Sequence, residues 1–346
     1  MVSINDIVPP LNQWEWNQFF NPNNFKWTVN KTPLSGYISV IWLWIIYFSL
    51  IAIIKLFMKN KKPFNVDSLT SINNKIFITW SVILTLLSGY SVFDKLLKFK
   101  LKELYCENET TIKGLWPYIT YIYYLNKIYQ LSGSILLTLK KKSLRHYHIW
   151  RHVYAIPLTY SWLNNRMIYS TLAVFVNSFV HTFLYIYSWK ISKDIKKAPF
   201  YKKHIIFFQT FQFVASFTIG IPHLFFYIIS RYPNFPWSGS YIHENLICNG
   251  MIPFIMTLVG NIFFLIGFIR IHIKDLKVLN KNFYHIYIYY LNEIAPDKLS
   301  KNQKKILMKK FNHTSMIQKK GNKKKSNSNN KKNYKPNQGN NEKGAI

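Results

Sequence analysis

The chain has 346 residues and a formal charge of +32, from 45 Lys and Arg against 13 Asp and Glu. Apolar residues make up 49% of it and fall in long blocks separated by Lys- and Asn-rich stretches, a pattern typical of a membrane protein and not of a soluble domain. The basic residues lie at block ends and in a low-complexity tail, so they do not form the basic stripe of a nucleic-acid-binding domain. We therefore expect no nucleic-acid partner.

Seven apolar blocks predict membrane-spanning helices. Helix is favoured over a β-barrel because the period-two alternation of barrel strands is absent. The fourth block is short and begins with polar residues, which predicts a position deep in the bundle. The sequence therefore predicts an all-α integral membrane protein with seven transmembrane helices. The predicted spans are Leu34–Met58, Ile76–Phe93, Trp116–Leu139, His148–Leu163, Met167–Trp189, Ile205–Ile229 and Met251–Ile271.

Three regions are expected along the chain. Residues 1–33 form an aromatic N-terminal segment, and residues 34–274 form the seven-helix membrane domain. Residues 275–346 form a basic tail, in which the part from about residue 318 is nearly free of apolar side chains and is predicted to be disordered.

The distribution of Lys and Arg between the short loops predicts the orientation. If the N-terminus is lumenal, the strongly basic loops 59–62, 140–145 and 190–203 and the C-terminal tail are all cytosolic. The loop 230–250, with Arg231 as its fixed positive charge, is then lumenal. The Lys-rich loop 95–113 disagrees with this orientation. We predict a lumenal N-terminus and a cytosolic C-terminus.

The two cysteines, Cys106 and Cys248, both fall in predicted lumenal loops. Disulfides form in that oxidising compartment, so a bridge between them is predicted; the alternative is two free thiols. The sequon that begins at Asn108 lies in the first of these loops, on the side of the membrane where glycosylation occurs.

Polar and ionisable residues interrupt four successive predicted spans. At bilayer depth an ionisable side chain costs about 2.5–3.5 kcal/mol on insertion scales, so such residues face the bundle interior or a cavity. Spacings of three or four place the members of each group on one helical face. The residues are Lys127 and Gln130 in the third span, His148, Arg151 and His152 in the fourth, Asn177 and His181 in the fifth, and Gln209 and Gln212 in the sixth.

Clustered imidazoles fit two kinds of chemistry. Neutral histidine binds metals. A membrane di-iron centre would need many more histidines at tight spacing, whereas this chain has ten, and several of them lie in loops, in the tail or at span ends. The second is nucleophilic and general-base chemistry on an acyl group, because imidazole accepts an acyl group from a thioester and releases it readily. No Gly-rich phosphate loop or GxSxG motif is present. We expect no metal.

The order and spacing of these residues resemble the ELO family, the very-long-chain fatty acid elongases of the endoplasmic reticulum. The family motif HxxHH at the start of the fourth span is similar to residues 148–152, NxxVHxxMYxYY to residues 177–187, and LTxxQxxQF to residues 205–213. The resemblance extends from about Trp116 to Ile273 and loosely to the earlier spans.

The resemblance implies an enzyme that condenses a long-chain acyl-CoA with malonyl-CoA to 3-ketoacyl-CoA, releasing CO2 and CoA through an acyl-histidine. It implies a tunnel for the acyl chain between the helices, no cofactor beyond the two substrates, a lumenal cysteine pair, and the other enzymes of the elongation cycle as partners. The implied catalytic residues are His181, as nucleophile or its partner, with His148 and His152 moving protons. The implied substrate-binding residues are Lys127, Arg151, Asn177, Tyr185, Gln209 and Gln212.

Two departures from the family pattern leave two hypotheses. Arg151 stands at the position of the middle histidine of HxxHH and cannot act as a base at neutral pH. An alternative alignment of HxxHH that uses His146 and His148 fits the spacing to the next motif less well. The motif KxxExxDT survives only in part at residues 127–134, with both carboxylates missing. The chain is then either an active elongase with altered substrates or heavier dependence on His181, or a catalytically impaired elongase-like protein that acts as a partner or lipid transporter.

Overall fold

The computed structural model of the chain describes residues 20–98, 101–108, 113–142, 146–193, 198–232 and 246–289. Within these ranges, the side chains of residues 107–108, 147–148, 193, 198–203, 246 and 271–289 lie outside the described part. The described residues form eight α-helices and one two-stranded antiparallel ladder. The helices are α1 (Tyr37–Met58), α2 (Asp67–Leu97), α3 (Leu115–Tyr129), α4 (Leu131–Leu139), α5 (His146–Asn164), α6 (Ser170–Lys193), α7 (Ala198–Arg231) and α8 (Met251–Tyr289), and the strands are β1 (Glu107–Asn108) and β2 (Leu246–Ile247).

Helices α1, α2, α6, α7 and α8 are each long and apolar enough to cross a membrane. Helix α1 turns apolar side chains outward around much of its surface, including Ile41, Ile46 and Leu56. Such a surface suits lipid, since a soluble monomer rarely exposes large apolar patches. The prediction of a helical multi-pass membrane protein is confirmed, and the count of seven spans stays a prediction.

The third predicted span, Trp116–Leu139, is two helices in the structure. Helix α3 has 15 residues and α4 has nine, so they measure roughly 22 and 13 Å. Each is shorter than the hydrocarbon core of about 30 Å. The break lies at Gln130. There the Gly133 N–H group donates to the Gln130 carbonyl oxygen, three residues back, at 3.3 Å, whereas a regular α-helix bonds the carbonyl four residues back.

The short helices α3 and α5 form the interior of the bundle. Ile119 and Tyr121 of α3 and Ile156 of α5 are fully buried. Helix α3 packs on α5, while α6 packs along α2 and also against α7. Helix α5 corresponds to the fourth predicted span, the one expected deep in the bundle, and it packs against α1, α3 and α4.

The segment before α1 packs on α3. Phe25 is buried and stacks on Tyr121 with ring centroids 5.3 Å apart, and Trp27 contacts Tyr121 at 5.7 Å. The Tyr121 and Tyr124 hydroxyls donate to the carbonyl oxygens of Pro33 and Leu34, both at 3.1 Å. This part of the aromatic N-terminal segment is thus a component of the helical core; residues 1–19, with Trp14 and Trp16, lie outside the described residues.

The two strands join the α2–α3 and α7–α8 connections. Glu107 pairs with Ile247 and Asn108 with Leu246, and a disulfide joins Cys106 to Cys248 at the next position of the same register. Both cysteines are buried, and neighbouring Tyr105 stacks on Phe226 of α7 at 5.6 Å. The disulfide therefore closes one end of the bundle.

The chain divides into two compact units, residues 1–269 and 270–346. The site described below lies in the first unit. Helix α8 continues through the predicted domain boundary at residue 274 to Tyr289. The tail predicted to be disordered lies outside the described residues, so the division of the chain into three regions stays a prediction.

Candidate active site

An elongated cavity lies among α3, α5, α6, α7 and α8. Its wall follows α5 from Arg151 to Trp162 and α6 from Ala173 to Leu184, which at the rise of an α-helix gives a length of roughly 16 Å. One end is polar. The other end is lined by apolar and aromatic side chains, among them Trp162, Tyr169 and Ile219. The cavity has a volume of about 140 Å³, and its lining changes from polar to apolar along its length.

The polar end gathers most of the site residues predicted from the sequence. Tyr185 lies beside it in a neighbouring cavity. His148 lies in the first turn of α5, and its side chain falls outside the described part. The predicted residues that line the cavity are Lys127, Arg151, His152, Asn177, His181, Gln209 and Gln212.

Asn177 is fixed by two donors from α3. The Lys127 ammonium donates to Asn177 Oδ1 at 3.0 Å and the Tyr123 hydroxyl donates to the same oxygen at 2.7 Å. The ammonium also lies 4.3 Å from the centroid of the Tyr123 ring, a cation–π arrangement. Because the amide oxygen receives both donors, the amide orientation is defined and its NH2 group is the donor that remains.

His181 is a buried imidazole held from one side. Its side chain is only 8% exposed, and Nδ1 lies 3.3 Å from the hydroxyl of Tyr185, one helical turn later. The Tyr185 ring stacks on Phe77 of α2 at 4.7 Å, which anchors it. With Nδ1 directed at Tyr185, Nε2 is the ring nitrogen available to a substrate.

His152 and Gln130 separate the first cavity from a second one. Both residues line the second cavity, which has a volume of about 630 Å³ and also includes Tyr185. Gln130 donates from Nε2 to Asn126 Oδ1 at 2.6 Å. A salt bridge of 2.8 Å between Lys140 and exposed Asp67 forms part of the second cavity's wall. The two cavities thus meet at Gln130 and at His152, which was predicted as catalytic.

Several lining residues were missed by the sequence analysis. Tyr123 precedes Lys127 by four residues, so the helical face that identified Lys127 could have identified it. The Trp162 indole donates to the Thr257 hydroxyl at 3.1 Å, and Asn261 donates to the Ser216 hydroxyl at 2.5 Å. These last residues are isolated in apolar helices, where sequence gives no sign of which face meets the cavity.

The arrangement suits acyl-group chemistry. A buried imidazole, an oriented amide donor and two cations stand at the polar end, and the apolar wall begins directly beyond them. Within the described residues, no group of three or more His, Cys, Asp or Glu side chains is placed to hold a metal ion. A buried imidazole beside hydrogen-bond donors can act as a nucleophile on an acyl carbonyl.

The chain is similar to named proteins of Dictyostelium discoideum. Fatty acid elongase sre1 is 31% identical over 197 residues, 56% of this chain and 72% of that protein. Fatty acid elongase A is 29% identical over 198 residues, 56% of this chain and 70% of that protein. A third protein, provisionally named a fatty acid elongase, is 28% identical over 233 residues, 67% of this chain and 78% of its own length.

The sequence also matches a family model over most of its length. The model is that of the ELO family, described as GNS1/SUR4, and it matches residues 32–282. That range contains α1 to α7, most of α8 and every residue that lines the cavity. The chain belongs to the ELO (GNS1/SUR4) family.

Proposed function

We propose that the chain is a fatty acid elongase that condenses a long-chain acyl-CoA with malonyl-CoA, acting as a 3-oxoacyl-CoA synthase. Relatives named fatty acid elongases support elongation in general. The observation that carries the specific proposal is the convergence of His181, Asn177 and Lys127 at the head of an elongated cavity with an apolar far end.

In the first half-reaction His181 takes the acyl group. Nε2 attacks the thioester carbonyl, the carbon–sulfur bond breaks, and CoA leaves as the thiolate, whose negative charge balances the positive charge of the acyl-imidazolium. The Asn177 amide, oriented by Lys127 and Tyr123, donates to the oxyanion that forms. The Tyr185 hydroxyl accepts a hydrogen bond from the Nδ1–H group, which favours the tautomer with Nε2 unprotonated. The acyl chain lies along the apolar wall.

In the second half-reaction malonyl-CoA takes the acyl group from His181. The bond between its carboxylate and methylene carbons breaks, CO2 leaves, and the electron pair forms an enolate. The enolate carbon attacks the acyl carbonyl, the carbon–nitrogen bond to His181 breaks, and 3-ketoacyl-CoA forms, two carbons longer. His152, at the junction of the two cavities, and His148 move protons; Gln209 and Gln212 bind the thioester carbonyls.

The membrane arrangement we propose uses seven spans. Helices α3 and α4 together make the third span and α5 makes the fourth, so that five apolar helices surround them and enclose the acyl tunnel. The N-terminus and the disulfide face the lumen of the endoplasmic reticulum, and the C-terminus faces the cytosol. Acyl-CoA and malonyl-CoA then enter from the cytosolic side, where the other enzymes of the elongation cycle are the expected partners.

A second function is favoured by the two departures from the family pattern. Arg151 lines the cavity where the family places a histidine, and Gln130 lines it where the family places a glutamate. Loss of those groups is compatible with an elongase-like protein that binds acyl chains without condensing them and acts as a partner or lipid transporter.

Incorporation of labelled malonyl-CoA separates the two functions. Membranes containing the full chain are given a panel of acyl-CoA primers, with His181→Ala as the inactive variant and His204→Ala, an exposed histidine on α7, as the matched control. Two-carbon extension that His181→Ala abolishes and His204→Ala retains supports the elongase. Folded wild-type protein that extends no primer contradicts it and supports the binding function.

A further inference from the structure

The polar end of the active-site cavity has an excess of positive charge. Lys127 and Arg151 both line it, and among its described lining residues none is Asp or Glu. Arg151 lies close enough to Lys127 for their like charges to interact. Positive charge without an acidic partner is costly in the interior of a membrane protein, so the pair favours an anionic ligand.

Neither cation is neutralised by the groups described around it. Lys127 is 5% exposed, and its described hydrogen bond goes to the neutral amide of Asn177. Arg151 has a buried Nε with no hydrogen-bond partner among the described residues. A buried donor left without a partner costs about 1–3 kcal/mol, and more when it is charged. Both observations indicate that a ligand completes the site.

The chemistry of the substrates identifies the anion. This step rests on the proposed function, in which acyl-CoA and malonyl-CoA both bring a thioester to His181. The acyl end of acyl-CoA is uncharged, whereas the malonyl end carries a carboxylate next to the thioester. The phosphates of CoA stand at the far end of the pantetheine arm, so the malonyl carboxylate is the anion that reaches the cavity together with the thioester.

We infer that Arg151 and Lys127 form a carboxylate subsite that selects malonyl thioesters over uncharged short-chain thioesters. The guanidinium fork matches a carboxylate through two parallel hydrogen bonds. When CO2 leaves, the negative charge passes from the carboxylate to the enolate oxygen. The two cations of the subsite therefore face a negative charge both before and after decarboxylation. Arg151, which stands where HxxHH has its middle histidine, thereby becomes a residue that determines specificity for malonyl-CoA.

A binding comparison tests the subsite without depending on turnover. Malonyl-CoA and acetyl-CoA differ in the carboxylate alone, so the ratio of their affinities for the purified full chain measures its contribution. We expect wild type to bind malonyl-CoA at least about tenfold more tightly, the effect of one charged hydrogen bond. Arg151→Gln should lower the ratio about tenfold while acetyl-CoA affinity, which reports on folding, stays the same.

Control variants separate a local role from a general effect of charge. Arg231→Gln removes an exposed arginine from the last turn of α7 and should leave the ratio unchanged, and Arg151→Lys should retain part of it. In turnover, Arg151→Gln should raise KM for malonyl-CoA about tenfold and leave KM for the acyl-CoA primer unaltered. A wild-type ratio near one, or a ratio that survives in Arg151→Gln, overturns the inference. Discrimination by a protein that extends no primer upholds the subsite and refutes only the proposed function.

Discussion

Lys127 of α3 donates a hydrogen bond of 3.0 Å to Asn177 of α6 in the interior of the bundle. An ammonium at that depth usually has a carboxylate partner; here the described partner is an amide oxygen, and the Tyr123 hydroxyl donates to the same atom. The two donors determine which way the Asn177 amide faces. In the proposed mechanism Lys127 therefore acts through Asn177 as well as through its own charge.

We predict that variants in this hydrogen-bond network lower kcat in proportion to how strongly they disturb the Asn177 amide. Asn177→Ala removes the proposed oxyanion donor and should lower kcat about 100-fold. Lys127→Met should lower it roughly tenfold, the cost of one charged hydrogen bond, because Tyr123 still holds the oxygen. Tyr123→Phe, which leaves the charged donor in place, should have the smallest effect. Steady-state kinetics on purified protein measure the series, and equal losses in all three variants would contradict the assigned order.

The Tyr185 hydroxyl is predicted to set the tautomer of His181. Removing it in Tyr185→Phe leaves the Nδ1 proton without the acceptor at 3.3 Å, so the proton is shared between the two nitrogens and less Nε2 is free to attack. We expect a fall of about tenfold in the rate of acyl-enzyme formation, equivalent to about 1.4 kcal/mol. Trapping of labelled acyl-enzyme before malonyl-CoA is added isolates that step. Tyr90→Phe, on the exposed face of α2, is the control and should acylate at the wild-type rate.

A feature could be predicted from the sequence where a local pattern of residues determines it, and not where the packing of distant helices does. Helices α1, α6 and α8 begin within three residues of their predicted positions, because long apolar runs have one stable arrangement in lipid. Helix α7 begins seven residues earlier than predicted. The break at Gln130 was missed because it depends on a local change in hydrogen bonding inside a stretch that was predicted as one continuous span. The polar spacing of Asn177 and His181 identified residues that do line the cavity. Tyr154 and Asn261 could not be found this way, since their contacts are set by how α5, α7 and α8 pack.

The disulfide between Cys106 and Cys248 is predicted to stabilise the bundle without taking part in the reaction. It joins residues 142 positions apart, a separation for which chain-entropy arguments give close to 5 kcal/mol in a fully flexible unfolded chain. Helices that stay inserted in lipid restrict the unfolded state, so we expect a loss of about 2–4 kcal/mol.

Thermal unfolding in detergent tests this with three variants. Cys106→Ser, Cys248→Ser and the double variant should lower the midpoint equally, and reductant should lower the wild-type midpoint to the same value. Activity per folded molecule at low temperature should be unchanged. A double variant less stable than either single variant would show that the thiols contribute separately and not as one bridge.

Gly260 of α8 is predicted to keep the acyl chamber open by leaving room for Tyr154. A Cβ at residue 260 would lie 2.5 Å from Cε1 of the Tyr154 ring, closer than two carbon atoms can approach. The ring is held in place by a 2.7 Å hydrogen bond from its hydroxyl to the Met256 carbonyl oxygen and by Phe264 at 5.7 Å. Because Tyr154 lines the cavity, Gly260→Ala should displace the ring into the chamber.

The expected result is a selective loss of long substrates. Gly260→Ala should reduce extension of the longest primers while short primers react as in wild type, and the product profile should shift to shorter chains. Gly89→Ala is the matched control, since its Cβ would also meet an aromatic ring, 3.1 Å from Cε2 of Phe175, but neither residue lines the cavity. Tyr154→Ala combined with Gly260→Ala removes the displaced ring and should restore the long products, a coupling that a double-mutant cycle on kcat/KM measures. Additive losses in the double variant would mean that Gly260 acts elsewhere than through Tyr154.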